Sequence, residues 1–312
     1  MKYISSIGDE KKKKALLGAL VADAASLPLH WIYDPQKLRD AISSTDKYKC
    51  EFNSVFSCPY YSPKDFPGHY ELGQPSPNGE QLLAMFDIVY ECGNDDQNGD
   101  NYAAKFRTWL NSYTGRKDGP AEIFEKNYDN GLRYPKCGAD DDQAMVFFKA
   151  IVAYIFNVEL EPLVRFHQNN DIAADCAEFY FSLLNAAGNF HGEKSIRSLY
   201  NELKGDASVS LKEHLDFLEI NLESPTNEFA VAWGEKFKSG SSSMVPISCH
   251  NPQALLRVLH VIFRAESFED GIRNNILVAG SNVLSGIAVG AILALYYDIP
   301  EEWIQQTKCI QE

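Results

Sequence analysis

Apolar residues recur at helical spacing along most of the chain, and no segment shows the strict two-residue alternation of a half-buried strand. Ala15 to Ala25 is alanine-rich, with small residues at 15, 18, 22 and 25 on one side, and predicts a helix. Glu80 to Tyr90 predicts a second. Asp142 to Phe156 is apolar nearly all round, which predicts a buried central helix. Asp171 to Leu184 places Ala173, Ala177, Tyr180, Phe181 and Leu184 on one face. Asn251-Pro252 reads as an N-cap followed by proline at the first helical position. Ala254, Leu255, Val258, Leu259 and Ile262 then form an apolar stripe. Ser267 to Asp270 has capping-box spacing, with Asp where Glu or Gln is usual. Ser285 to Tyr297 is the last strong helix, and Gly286, Gly290 and Ala294 stand four apart in it. Small residues at that spacing admit a close neighbour, and the first helix is the expected one. These patterns predict one all-α domain over residues 1–312.

Two segments interrupt the pattern. Cys50 to Gly79 carries Pro59, Pro63, Pro67, Pro75 and Pro77 among tyrosines and glycines. A loop of that length inside a compact domain is usually functional. Lys238 to Pro246 reads as a flexible surface connection. Neither resembles a domain boundary, and no internal repeat is evident.

The net charge of −14 argues against nucleic acid as a partner, which calls for a basic footprint. It favours solubility, including at high concentration, where self-association becomes relevant. Seven cysteines are scattered without a C-x-x-C pair, arguing against a disulfide scaffold or zinc ribbon. Reduced thiols in the cytoplasm are the plain reading. Lys11 to Lys14 ahead of Ala15 to Val21 imitates a signal peptide, but Asp23 ends the apolar run early. The apolar run 283–297 is shorter than the ~20 residues a membrane span requires. No membrane partner is expected. The chain has no phosphate loop with a Walker lysine and no G-x-S-x-G elbow.

Three stretches carry the chemical signal. The first is Gly18 to Trp31, with Asp23, Pro28 and His30 inside it. The second is Pro77-Asn78-Gly79-Glu80-Gln81-Leu82 at a helix start, and the third is Ala279 to Gly286, containing Ser281, Asn282 and Val283. In this order they resemble the landmarks of the ADP-ribosylglycohydrolase family, roughly G-x-x-x-G-D-A-x-G-x-P-x-E, T-D-D-T-x-M and G-G-D-x-D-T/S. The resemblance implies an all-α fold and enzymes that cut the glycosidic bond of ADP-ribose attached to a side chain. It also implies one or two Mg²⁺ ions, which demand hard oxygen ligands. Carboxylates of the second and third landmarks would hold them, polarising ribose oxygens and orienting water.

This chain departs from that pattern. His30 replaces the glutamate of the first landmark, Asn78 and Gly79 the aspartates of the second, Ser281 and Val283 those of the third. Asp23 remains, as a site carboxylate or as a structural acceptor of backbone N–H groups. His30 reads either as a proton donor near neutral pH or as a hydrogen-bonded core residue. Glu80 could still offer an oxygen ligand. Asp140, Asp141 and Asp142 precede the predicted buried helix, where they could cap it or, for Asp141 and Asp142, bind a cation. His260, and His250 beside Cys249, have no metal partners at useful spacing. Leu29-His30-Trp31-Ile32-Tyr33-Asp34, Gly79-Glu80-Gln81 and Gly138 to Gln143 are similar to one branch of the family, which contains J-type eye-lens crystallins and selenoprotein J. Gly286 stands where that branch has arginine.

The resemblance therefore implies a catalytically inactive relative with a structural role, of the lens-crystallin kind. No catalytic residue, cofactor or metal is then expected, and Asp23, His30, Glu80 and Asn282 form a remnant cleft. The alternatives are a Mg²⁺-dependent hydrolase of ADP-ribosylated or related nucleotide substrates, and a protein that binds an ADP-ribose-like ligand without turnover.

Overall fold

The computed structural model describes residues 5, 7–45, 49–93, 97–189, 194–237 and 249–311. The Asp9 carboxylate accepts from the N–H groups of Lys11 and Lys12 and starts α1, Glu10–Ser26. Asp34 and Pro35 start α2, Pro35–Ser43. Ser76 and Pro77 start α3, Pro77–Cys92, and Asn98 and Asp118 cap α4, Gly99–Ser112, and α5, Gly119–Asp129. Next come α6, Val146–Phe156, α7, Leu160–Arg165, and α8, Asp171–Asn189. Three amphipathic helices follow: α9, Ile196–Leu203, α10, Val209–Ile220, and α11, Thr226–Phe237. The last group is α12, Gln253–Arg264, α13, Phe268–Leu277, α14, Asn282–Leu293, and the short α15, Glu301–Gln306, and α16, Lys308–Gln311. Among the described residues there are only isolated β-bridges, Ile32–Gly280, Ala139–Gln168 and Gln143–His250.

Helices α1, α6 and α14 are apolar on every face over most of their length, so they occupy the middle of one continuous core. α1 and α14 lie against each other with their glycines in register: a Cβ placed on Gly18 would stand 2.3 Å from the Gly290 carbonyl oxygen. This is the close approach expected of the small-residue spacing. Around this trio α8 packs against α6, α12 and α13 against α14, α3 against α6, and α4 against α3.

Some boundaries differ from the sequence pattern, each for a local reason. α6 begins at Val146, not Asp142. Residues 139–144 bond outward instead: Ala139 N–H to the His167 carbonyl, 2.9 Å, and Ala144 N–H to the Cys249 carbonyl, 2.7 Å. Asp140, Asp141 and Asp142 therefore do not cap α6, whose N-cap position is Met145. Asn251 does not cap α12 either. Its N–H is bound to the Asp142 carbonyl at 2.9 Å, the helix starts at Gln253, and no side chain caps it. Ser267 does cap α13, and Asp270 returns a bond to Glu266 N–H, one residue before the usual capping-box partner. α14 starts at Asn282 and ends at Leu293, after which tighter turns carry the chain to Tyr297. Residues 50–75 form the expected long loop, while 238–246 lie outside the described residues.

Candidate functional site

The first and third landmarks meet through their backbones. A 3₁₀ turn, Leu27–Leu29, ends α1, and Trp31 then takes a left-handed conformation, φ 59°. Trp31 N–H binds the Gly280 carbonyl and Gly280 N–H binds the Ile32 carbonyl, both at 2.8 Å. Ala279 is left-handed too, φ 76°. Such conformations in non-glycine residues cost about 1–3 kcal/mol each and persist where the surroundings over-determine them.

This stitching sets His30 against Asn282. The Asn282 amide nitrogen donates to the Leu29 carbonyl at 3.1 Å, which leaves its oxygen facing His30 Nδ1 at 2.9 Å. Val283 N–H also approaches Nδ1, at 3.3 Å, while Nε2 is buried and without a partner. Burial pulls His30 down to about 3, so the ring is neutral at physiological pH, and it sits as a hydrogen-bonded, buried side chain.

A buried guanidinium holds the third landmark from behind. Arg257 of α12 donates from Nε to Asn275 Oδ1 at 3.0 Å, from Nη1 to the Ala279 carbonyl at 2.9 Å, and from Nη2 to the Asn275 carbonyl. Asn275 passes the support on, donating to the Asn282 carbonyl at 2.7 Å. Arg257→Met would take these donors from the buried Ala279 and Asn275 carbonyls, while Asn275 Oδ1 would keep the Ser285 hydroxyl at 2.8 Å. At about 1–3 kcal/mol per orphaned group, less the relief of removing a buried charge, the expected loss is about 3 kcal/mol in urea unfolding. Unchanged stability would mean that the guanidinium does not support this loop.

The second landmark joins through Asp23. Its carboxylate accepts Ser76 N–H at 2.8 Å and Ser76 Oγ–H at 2.5 Å, and Ser76 Oγ accepts from Asn78 and Gly79 N–H. Asp23 thus fastens α1 to the start of α3. Burial pushes its carboxyl up to about 7, against the Ser76 bonds, which favour the anion. Gly79 is sterically required here, because a Cβ would lie 2.1 Å from Asp23 Oδ2.

The proline-rich loop closes over this junction. Phe52 N–H binds the Ala25 carbonyl and Ser57 N–H the Pro28 carbonyl, 2.9 and 2.8 Å. Trp31 stacks on His30 with ring centroids 4.5 Å apart, Tyr61 meets Trp31 edge-on, and Tyr70 meets Tyr61. The Arg116 guanidinium lies 4.6 Å above the Trp31 ring, a cation–π contact. Beneath this cover Asp23 and Asn282 are 0 % exposed, His30 1 % and Tyr61 2 %, so water has almost no access to them.

Glu80 lies beside that cover, because the Tyr113 hydroxyl that binds it is 3.1 Å from the Tyr70 hydroxyl. His69 Nδ1 lies 2.5 Å from its Oε1, and the Tyr113 hydroxyl donates to its Oε2 at 2.6 Å. It borders a cavity of about 820 Å³ between α3 and α4, lined also by Asp87, Lys105, Trp109 and Ser112. Asp141 accepts from Gln143 N–H and Gln143 Nε2, and Asp142 pairs with His250. Of the predicted remnant, His30 and Asn282 come together, Asp23 binds the α3 start, and Glu80 faces the α3–α4 groove. Sequence reasoning missed Tyr61, Arg116, Arg257, His69 and Tyr113. The density of proline and tyrosine in 50–79 was the one available signal.

The donor set does not fit a divalent metal. Among the described residues no three His, Cys, Asp or Glu side chains gather to hold one. Asn282 is committed to His30 and Leu29, Val283 offers no ligand, and the Arg257 cation lies behind the loop.

A profile of the ADP-ribosylglycohydrolase family matches residues 7–312. Crystallin J1A of Tripedalia cystophora is 26 % identical over 332 aligned residues, covering 96 % of this chain and 92 % of that protein. Crystallin J1B of the same organism is 24 % identical over 336, with the same coverage. Among solved structures, a chain of an "ADP-ribosylglycohydrolase-related protein complex" superposes with a TM-score of 0.62 at 14 % identity, covering 99 % of this chain and 97 % of that one, a likeness of fold. Landmarks in order, helical architecture and full-length match agree, and the chain belongs to the ADP-ribosylglycohydrolase family.

Proposed function

We propose that this chain is a structural member of its family, a crystallin-type protein of the eye lens in which the glycohydrolase reaction has been lost. The observation that carries this reading is the sealed junction. His30 and Asn282 bond to each other where the family's landmarks would present metal and substrate ligands, under the Trp31–Tyr61–Arg116 cover. The similarity to two crystallins over nearly the whole chain supports the structural role. The acidic balance suits a protein kept dissolved at high concentration, where weak self-association would be its main partnership. No disulfide joins any of the seven cysteines, which fits a reducing cytoplasm. Among the described residues no helix is long and apolar enough to cross a membrane. No cofactor and no nucleic acid enter this reading.

Titration with ADP-ribose, with and without Mg²⁺, tests it alongside an assay on an ADP-ribosylated peptide. No heat of binding and no release of ADP-ribose are expected. Turnover would overturn the proposal in favour of a working hydrolase, and binding without turnover in favour of a ligand-sensing relative. Abundance in lens tissue tests the crystallin role separately, and trace expression in many tissues would end it.

A further inference from the structure

Beside the α3–α4 cavity three side chains stand in a row. Glu80 Oε1 lies 2.5 Å from His69 Nδ1, and His69 Nε2 lies 2.9 Å from the Thr114 hydroxyl. The other Glu80 oxygen accepts from the Tyr113 hydroxyl at 2.6 Å. The Glu80 and His69 side chains are largely buried, whereas Thr114 is exposed. The loop that carries Thr114 is fixed on both sides. Tyr113 precedes it, and beyond it Arg116 N–H donates to the Tyr70 hydroxyl at 2.6 Å, which is 3.1 Å from the Tyr113 hydroxyl. Between them Gly115 packs so closely that a Cβ would stand 2.5 Å from both hydroxyl oxygens. His69 and Glu80 line the cavity, whose other walls include Leu83, Ala84, Ile88 and Trp109.

We infer that Thr114, His69 and Glu80 form a nucleophilic hydroxyl site that takes neutral carboxylic esters. Hydroxyl, imidazole and carboxylate stand in the order of a hydrolase triad, which is recognised by geometry and not by sequence position. A carboxylate accepting from Nδ1–H fixes the tautomer in which Nε2 accepts the Thr114 proton. Lys105 and Lys308 of the cavity lining are paired with Glu91 and Glu71, so an anionic substrate finds little to hold it. Leu83, Ala84, Ile88 and Trp109 give the apolar group of an ester a wall. Thr114 Oγ1 attacks the carbonyl carbon, its proton passes to Nε2, and the C=O π pair moves to the carbonyl oxygen. As that pair returns, the bond to the alcohol oxygen breaks and Nε2 gives that oxygen the proton. Water then attacks the acyl-threonine, losing a proton to Nε2. The acid leaves, and Thr114 Oγ1 recovers the proton. At an exposed hydroxyl the developing oxyanion is met by solvent, so slow turnover and a detectable acyl-threonine are the expected signature.

The intact protein is offered para-nitrophenyl acetate at neutral pH. Nitrophenolate release is followed by absorbance, and acetyl groups are mapped residue by residue by mass spectrometry. An acetyl group is expected on Thr114. Its formation should slow by roughly 100-fold in His69→Gln, since a general base contributes about 10²–10⁴-fold. Glu80→Gln should slow it too, because the ring loses the partner that fixes its tautomer. Thr114→Ser should keep acetylation at position 114, and Thr114→Val should lower nitrophenolate release to the background set by surface lysines. Thermal melts check that the variants fold, and Thr114→Val, at an exposed position, decides the matter if the His69 variant does not. The proposal is overturned if Thr114 stays unacetylated while surface lysines react, if His69→Gln leaves its rate unchanged, or if Thr114→Val releases nitrophenolate as fast as the parent. Glu80, His69 and Thr114 would then be only a structural chain of hydrogen bonds. No readout involves ADP-ribose, so the outcome is separate from that of the proposed structural role.

Discussion

Urea unfolding is expected to give a stability that falls by about 2–3 kcal/mol for each pH unit as the pH drops from about 6.5 to about 4. Three buried histidines set this slope. Burial pulls His30 to about 3 and His260 to about 4, and holds His167 well below its ordinary value of 6.5. Unfolded, each takes up a proton near 6.5; folded, each stays neutral. The unfolded state then binds more protons across this window, so acid favours it, by about 1.4 kcal/mol per unit and per histidine. His214, half-buried, acts in the same direction. Asp23 opposes it: its folded value of about 7 lies above the unfolded 3.8, so its contribution is fully present below 3.8 and is lost as pH rises through 7. Asp118, raised by burial, opposes it likewise. His30→Gln should flatten the slope by about 1.4 kcal/mol per pH unit. A stability that stays level from pH 6.5 to 4.5 would show that these rings are protonated, and so hydrated, in the folded state.

The second large effect lies at the crossing of α1 and α14. Gly18→Ala would bring a Cβ to 2.3 Å from the Gly290 carbonyl oxygen and 2.5 Å from Ala294 Cβ. Gly290→Ala would bring one to 2.3 Å from the Gly18 oxygen and 2.6 Å from Ala22 Cβ. These neighbours are backbone and short side chains, which cannot swing aside. On helix propensity alone, glycine to alanine inside a helix gains about 1 kcal/mol. Overpacking at a rigid crossing costs about 1–3 kcal/mol and occasionally more, and here it should win. Each alanine variant is expected to lose about 2 kcal/mol in thermal or urea unfolding, and Gly18→Val more. An alanine variant as stable as the parent would mean that the two helices do not touch at this point.

The two effects differ in how far a reader of the sequence could have foreseen them. The glycine crossing was legible, because small residues four apart mark a surface that a second helix can approach, and the first helix carried the matching set. The acid sensitivity was not. Nothing in the neighbours of His167 or His260 along the chain says that both rings end up with no exposed surface; that depends on aromatic residues brought from other helices. The helix starts show the same division. Ser267 acts on an N–H group close to it in sequence, so its cap is legible there. Asn251 and the Asp140–Asp142 run look equally suitable, yet their backbones are taken by partners about a hundred residues away or by the 167–169 segment, so no cap forms.

What the sequence by itself determined is the helical class, the buried central helices, the family frame and the replacement of its metal carboxylates. These follow from residue type and local period, which survive without knowledge of distant contacts. What only the tertiary structure decided is where the surviving polar groups went. Asp23 became the fastener of α3, His30 a neutral ring bonded to Asn282, and Glu80 the partner of His69 and Tyr113 beside the α3–α4 cavity. The physical reason is that charge state and access depend on burial and on neighbours from remote segments. Those are properties of packing, and the order of residues along the chain does not carry them.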